Sequence, residues 1–229
     1  MNTGDKERDL VIAVGIPSQE SIPSECFTSH MCQLGDAMRC GKIVMLTPFN
    51  ASPHDKARTV ILEDALEKNV DYLYFIDDDM LIPRGTLPRM LEVFKQNPGL
   101  VAVSGHYYRR GSPYTCVWSM EIDGQWNQVD ALDGVHTIHT SGLGCCLIDV
   151  KWVKQHLTYP YFEMKHNGKY CTVTDDITFF EKIRAAGGTV VGDAGIRCGH
   201  LTRIVINDAS VKYLRRLELE DSGELTKVE

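Results

Sequence analysis

The sequence predicts an α/β fold with a mostly parallel central sheet flanked by helices, and three observations carry that expectation. First, four short runs, "LVIAV" (10–14), "KIVML" (42–46), "YLYFI" (72–76) and "GLVAVSG" (99–105), are almost continuously apolar rather than alternating. Such runs suit strands covered on both faces. Second, the segments between them repeat their apolar residues at helical spacing. Third, strand and helix alternate four times, which is the order a parallel sheet with helices on both faces requires.

Taken in order, Phe27, Met31, Leu34 and Met38 mark the first helix, with Gly41 as its stop. Ser52, with Pro53 next and Asp55 at the third helical position, reads as the start of the second. Ala57, Ile61, Ala65 and Leu66 carry its inner face, and Leu87, Met90, Leu91 and Phe94 mark a third helix. Beyond residue 104 the character changes. Asp123-Gly124 reads as a hairpin turn inside "YTCVWSMEIDGQWNQV". "VHTIHT" and "GCCLIDV" read as strands, a short helix follows near 150–156, and Asn167-Gly168 reads as a turn. Thr174 can cap a helix that ends at Gly187-Gly188. "GDAGIRCGH" reads as an irregular, Gly-rich approach to His200. One domain over residues 1–206 is expected, with an α/β half at 9–104 and a mixed, more antiparallel half at 105–206. Residues 207–229 read as a charged helix fraying into a tail.

The 229 residues are 43% hydrophobic with a formal net charge of −7. That suits a globular protein with a real core and counts against a general polyanion binder. No apolar stretch approaches the ~20 residues of a membrane span. The polar start, "MNTGDKERDL", resembles neither a signal nor a transit peptide. Eight cysteines contain no C-x-x-C pair, so reduced core cysteines in a cytoplasmic protein are expected.

The stretch "FIDDDM" (75–80) poses the chemical question. Two like charges ~4 Å apart at an effective dielectric of ~20 repel by roughly 4 kcal/mol. A hard divalent cation would offset that repulsion and would also bind phosphate oxygens. Ligands of open parallel sheets sit beyond the carboxyl ends of strands, where these aspartates fall. Strand alternation points Asp77 and Asp79 one way and Asp78 the other, which makes Asp78 the more structural of the three. An acidic strand-end turn is the bland alternative. Asp175 and Asp176 open a helix, where the dipole favours carboxylates by roughly 0.3–1 kcal/mol each. That alone accounts for both; the functional alternative is a carboxylate presented as general base from a rigid helix end. Asp77, Asp79 and His200 form an O,O,N set suited to manganese or magnesium. Spacing alone does not say whether His200 reaches Asp79.

Together these residues resemble a family. "FIDDDM" is similar to the D-x-D motif of GT-A-fold (Rossmann-like) glycosyltransferases, which use nucleotide-sugar donors and a divalent metal. "VIAVGIP", a helix carrying "KAR", "TSGLGCCLI", "TDDITFFEKIRAAGG" and "GH" follow in the family's order, over about residues 9–202. The resemblance is to compact, family-two-like transferases of bacteria, archaea and their viruses. It implies Asp77 near ribose or metal, and Asp79 and His200 as metal ligands. It also implies Pro17 and Ser18 at the nucleobase and Arg58 near base and ribose, with Asp77 and Asp78 among the donor-binding residues. Gly142 and Gly144 would lie beside the sugar. Asp175-Asp176 matches the family's Glu-Asp pair, whose Asp serves as base in inverting members. The Glu is shortened to Asp here, which leaves the role of Asp175 open.

The implied reaction moves a sugar from a UDP- or GDP-sugar to an acceptor hydroxyl. The metal would neutralise the leaving diphosphate. "HYYRRGSPY" (106–114) combines aromatics with Arg109 and Arg110 and suits a sugar, a lipid phosphate or a nucleobase. A glycan, a small molecule or a modified nucleic-acid base are the acceptors open. A nucleotidyltransferase, a nucleotide-sugar hydrolase or a non-catalytic nucleotide- or carbohydrate-binding module are the alternatives. "GIPSQESIP" is not the Gly-rich phosphate loop of sugar nucleotidyltransferases.

Overall fold

The computed structural model describes residues 9–18, 21–48, 53–111, 114–129, 133–203, 206, 210–214 and 216. The chain runs β1 (Val11–Gly15), α1 (Ser24–Cys40), β2 (Lys42–Leu46), α2 (His54–Glu67), β3 (Tyr72–Ile76), β4 (Met80–Leu81), α3 (Thr86–Gln96) and β5 (Leu100–His106). It continues with β6 (Ser119–Ile122), β7 (Gln125–Gln128), β8 (Val135–Thr137), β9 (Cys145–Asp149) and α4 (Val150–His156). Then follow β10 (Lys165–His166), β11 (Cys171–Val173), α5 (Asp175–Ala185), β12 (Thr189–Arg197) and β13 (Gly199–His200). Residues 210–214 are helical. Apart from residue 216, also helical, the rest of the expected C-terminal tail, like Ser52, lies outside the described residues.

Seven strands form one sheet in the order β2-β1-β3-β9-β5-β12-β8. β1 is parallel to β2 and β3, and β5 is parallel to β12. β9 runs antiparallel between β3 and β5, and β8 closes one edge antiparallel to β12. The mostly parallel sheet is therefore as expected, but a strand from the second half of the sequence is inserted at its centre. The short hairpins β6-β7 and β10-β11 supply the small antiparallel additions. Asp123 and Gly124 both take positive φ, 54° and 75°, which the two-residue turn of β6-β7 demands.

Both faces of the sheet are covered, which explains why its strands read as continuous apolar runs. On one side Leu73, Phe75, Ile148 and Val101 pack against Ile61, Leu62 and Ala65 of α2 and Phe179, Phe180 and Ile183 of α5. On the other, Ile12, Val14, Tyr74, Val103 and Leu147 pack against Leu87, Met90 and Phe94 of α3 and Ala37 of α1.

Two expectations are corrected. Helix α1 is present, but Phe27, Met31 and Met38 are exposed (55, 50 and 68%), while His30, Gln33 and Asp36 are buried. The polar face turns inward because it has partners there. Gln33 Nε2 donates to the Ile82 and Pro83 carbonyls, Asp36 accepts from Gly85 N, and His30 Nε2 lies 3.1 Å from the Asp77 carbonyl. The "irregular" approach to His200 is instead the nine-residue strand β12. Its Gly192 lies against the Trp118 indole, where an added Cβ would come within 2.6 Å of the ring. This glycine reflects close packing rather than a loop. All eight cysteines are free thiols.

Candidate functional site

β3 ends at Ile76, and the chain then turns, with Met80 N donating to the Asp77 carbonyl at 3.2 Å. That turn presents Asp77, Asp78 and Asp79 beyond the carboxyl ends of the parallel strands, and each of the three has a different partner.

Asp77 faces Arg58 of α2, whose Nη2 lies 3.2 and 3.1 Å from its two oxygens. The same guanidinium donates through Nη1 to Asp175 Oδ2 at 2.9 Å. Arg58 is thus a buried bridge, 6% exposed, between the strand-end aspartates and the start of α5. Burial opposes its charge, but Asp77 and Asp175 outweigh burial and hold the guanidinium firmly protonated.

Asp79 faces an arginine and a histidine. Arg110 Nη1 approaches its Oδ2 at 2.5 Å, and His200 Nε2 its Oδ1 at 3.4 Å. Burial works to raise the Asp79 carboxyl, but the His200 hydrogen bond and the His200 and Arg110 charges prevail and lower it. His200 reaches this place because β13 pairs antiparallel with β4, setting His200 opposite Met80. Leu201 N then donates to the Asp79 carbonyl at 2.9 Å. His200 Nδ1 lies 2.9 Å from the Tyr108 carbonyl. A carbonyl only accepts, so Nδ1 carries a proton and Nε2 is the nitrogen aimed at Asp79.

Asp78 takes a hydrogen bond from Ser18, just after β1. Burial raises its carboxyl, with Ser18 opposing. Pro17 is buried beside Ser18. Asp78, Asp79, Arg110, Ser21, Thr202 and Arg203 line a cleft of about 520 Å³.

At the start of α5, Asp175 is 3% exposed and committed to Arg58. Asp176 is half-buried, accepts from the Thr174 hydroxyl, and accepts from Ile177 N at 2.9 Å. Burial is the largest influence on Asp176 and raises its carboxyl, with Arg58 opposing. Thr174 occupies the cap position as expected, but its hydroxyl serves Asp176 rather than the helix backbone.

Gly142 and Gly144 lie where the chain enters β9, against Tyr107. An added Cβ at Gly142 would fall 2.2 Å from Tyr107 Oη, and one at Gly144 would fall 3.0 Å from Tyr107 Oη and 3.2 Å from Asp77 Oδ2. Tyr107 Oη accepts from Gly144 N at 2.9 Å, and its ring meets the His200 ring edge-on with centroids 5.5 Å apart. Tyr107 is a supporting residue that sequence reasoning passed over; its signal was its place at the end of the run that leads from β5 into "YYRR".

The structure therefore brings Asp79 and His200 together. It brings Asp77, Arg58 and Asp175 together beside them. It does not turn Asp77, Asp79 and His200 onto one point, because Arg58 holds Asp77. Among the described residues, no cluster of three His, Cys, Asp or Glu side chains is poised as a ready cation cage.

Residues 52–157 match the family described as Glycosyl transferase family 2, a span of less than half the chain. Among solved structures, A197 from STIV superposes with a TM-score of 0.61 at 17% identity, covering 85% of this chain and 86% of its own. GalNAc-T7, solved with UDP, GalNAc and Mn2+, superposes with a TM-score of 0.54 at 11% identity. That match covers 86% of this chain and 45% of GalNAc-T7. No curated protein matches the sequence.

The fold is GT-A.

The sheet places the strand-end aspartates, His200 and the α5 carboxylates at one end, and the family match over 52–157 takes in Arg58, Asp77, Asp79, Gly142 and Gly144. Both findings point to glycosyl transfer in general. Among the described residues, no helix is long and apolar enough to cross a membrane.

Proposed function

We propose that this GT-A protein transfers a sugar from a nucleotide-sugar donor, UDP- or GDP-linked, to an acceptor hydroxyl, with manganese or magnesium as cofactor. The observation that carries the proposal is the β4-β13 pairing. It sets an imidazole nitrogen against Asp79, the last aspartate of the D-x-D triplet, across 120 residues of chain. The donor set fits a divalent cation. Asp79 is an ionised carboxylate, and His200 has its Nδ1 proton taken by a backbone carbonyl, so its other nitrogen faces Asp79. Asp79 and His200 would hold the ion, with Asp77 adjacent. When bound, the ion supplies positive charge against the leaving diphosphate.

Pro17, Ser18 and Asp78 border the proposed nucleoside site, and the backbone at Gly142 and Gly144, packed closely on Tyr107, is taken to lie beside the sugar. Arg58 has a different part from the one its family match implies, since its guanidinium is spent on Asp77 and Asp175. It holds the strand-end and helix-start carboxylates in register. Asp176 is the proposed base. Burial weakens its acidity, which strengthens it as a proton acceptor, and the Thr174 hydroxyl orients it. Asp175 keeps Arg58 in place. The catalytic unit is taken to be residues 1–206. Acceptors in keeping with the cleft are a glycan, a small molecule or a modified nucleic-acid base, and the setting expected is the cytoplasm. The Mn2+, UDP and GalNAc named with GalNAc-T7 support the cofactor and donor class.

The test is nucleotide release from UDP-, GDP-, ADP- and CMP-sugars, with manganese and with chelator, on wild type and Asp79→Ala. Metal-dependent release from one donor, lost in Asp79→Ala, is expected. Release from a donor that persists in chelator and in Asp79→Ala would overturn the metal assignment.

A further inference from the structure

Arg110 occupies an unusual position. Its backbone belongs to the loop between β5 and β6, and the root of that loop is fixed. Arg109 N donates to the Thr115 carbonyl at 3.0 Å, Val117 N donates to the Tyr107 carbonyl at 3.1 Å, and Tyr108 pairs with Cys116. The Arg110 side chain, 54% exposed, extends from this fixed root to Asp79 Oδ2, while Asp79 itself is only 14% exposed. The guanidinium thus sits on a carboxylate more shielded than that of Asp77, 14 against 22% exposed, on the oxygen opposite the one His200 faces. Its neighbour Arg109 has no ion pair among the described residues.

We propose that Arg110 and a divalent cation compete for Asp79, so that Arg110 is the residue that sets how readily the metal enters. The inference rests on the reading of Asp79 and His200 as cation ligands. A guanidinium at 2.5 Å fills the Oδ2 lone-pair direction, and a cation bonded to Asp79 would stand within a few ångströms of it, where two positive charges repel. Because the loop root is tied, displacement needs only rotation of the Arg110 side chain into the cleft it shares with Asp78 and Arg203. Until a cation arrives, Arg110 offsets the repulsion among the three aspartates. Once it does, the ion takes over that role, and metal binding is weakened by the strength of the pair it breaks.

Manganese binding measured by calorimetry and by the EPR signal of free Mn2+ tests this on the full chain, with manganese alone as the probe. Arg110→Ala is expected to bind Mn2+ about two- to fivefold more tightly than wild type, the range of a partly exposed ion pair. Arg109→Ala removes the same charge from the next residue without touching Asp79, and a smaller change is expected there. Mn2+ should also raise the melting temperature of Arg110→Ala more than that of wild type at the same concentration. An affinity in Arg110→Ala equal to or weaker than wild type, or matched by Arg109→Ala, would overturn the proposal. Mn2+ bound equally by wild type and Asp79→Ala would instead overturn the metal reading beneath it, and the two failures are distinguishable in one titration series.

Discussion

At the scale of single residues, the three adjacent aspartates each have their own solution. Asp77 is held by Arg58, Asp78 by Ser18, and Asp79 by Arg110 and His200. Strand alternation pairs Asp77 with Asp79 and sets Asp78 apart, but β3 ends at Ile76; beyond it the chain turns, Asp77 and Asp79 have separate partners, and Asp78 and Asp79 line one cleft. Asp176 differs from Asp175 next to it for an equally local reason. Asp175 is paired with a buried arginine, whereas Asp176 keeps a carboxylate that burial makes more basic. Only the ionised carboxylate accepts a proton, so transfer should fall as pH drops through the Asp176 pKa. That limb should lie above the ~3.9 of an ordinary aspartate. Asp176→Asn is expected to bind manganese and donor normally and to lose transfer by at least about 10²-fold, the low end of general-base contributions. A transfer rate within a few-fold of wild type, measured across pH, would remove Asp176 from the role of base.

At the scale of elements, most were legible. The apolar runs located β1, β2, β3 and β5 to within a residue, and the helical spacing located α1 and α3. What periodicity could not supply was the direction a helix faces. In α1 the apolar residues recur at helical spacing, yet Phe27, Met31 and Met38 point outward, because the loop after β4 offers unpaired backbone groups that Gln33 and Asp36 satisfy. β12 was missed for a similar reason, since its glycines accommodate side chains of other segments, Gly192 the Trp118 ring and Gly195 the Arg89 guanidinium. The close approach of β9 to Tyr107 makes a further case. Gly142→Ala would drive a methyl into the buried Tyr107 hydroxyl, at a cost of about 1–3 kcal/mol typical of overpacking. Removing that hydroxyl as well, in Gly142→Ala with Tyr107→Phe, should recover part of the loss in chemical denaturation. No recovery would show that the strain lies elsewhere.

Across the whole molecule, the sheet order has a mechanical consequence. β9 lies between β3 and β5, and β12 lies beyond β5, so β5 has neither of its neighbours within residues 1–104. A fragment of those residues would expose the apolar edges of β3 and β5, and it is expected to show poorly dispersed amide signals, whereas the full chain unfolds in one transition. A fragment with dispersed signals and a cooperative melt would show that the nucleotide-side half folds alone.

Determined by the sequence itself were the fold class, most strand and helix positions, and the candidate chemistry at Asp77, Asp79, Asp175, Asp176 and His200. Those follow from short-range rules, since periodicity, turn residues and carboxylate spacing act within a few residues of chain. The tertiary structure alone decided which of these residues meet. The pairing of β4 with β13 carries His200 to Asp79, and α2 carries Arg58 between Asp77 and Asp175. The loop after β5 carries Arg110 onto Asp79. Each meeting depends on contacts between segments far apart in the chain, fixed by how the two faces of one sheet are covered, and no local pattern encodes them.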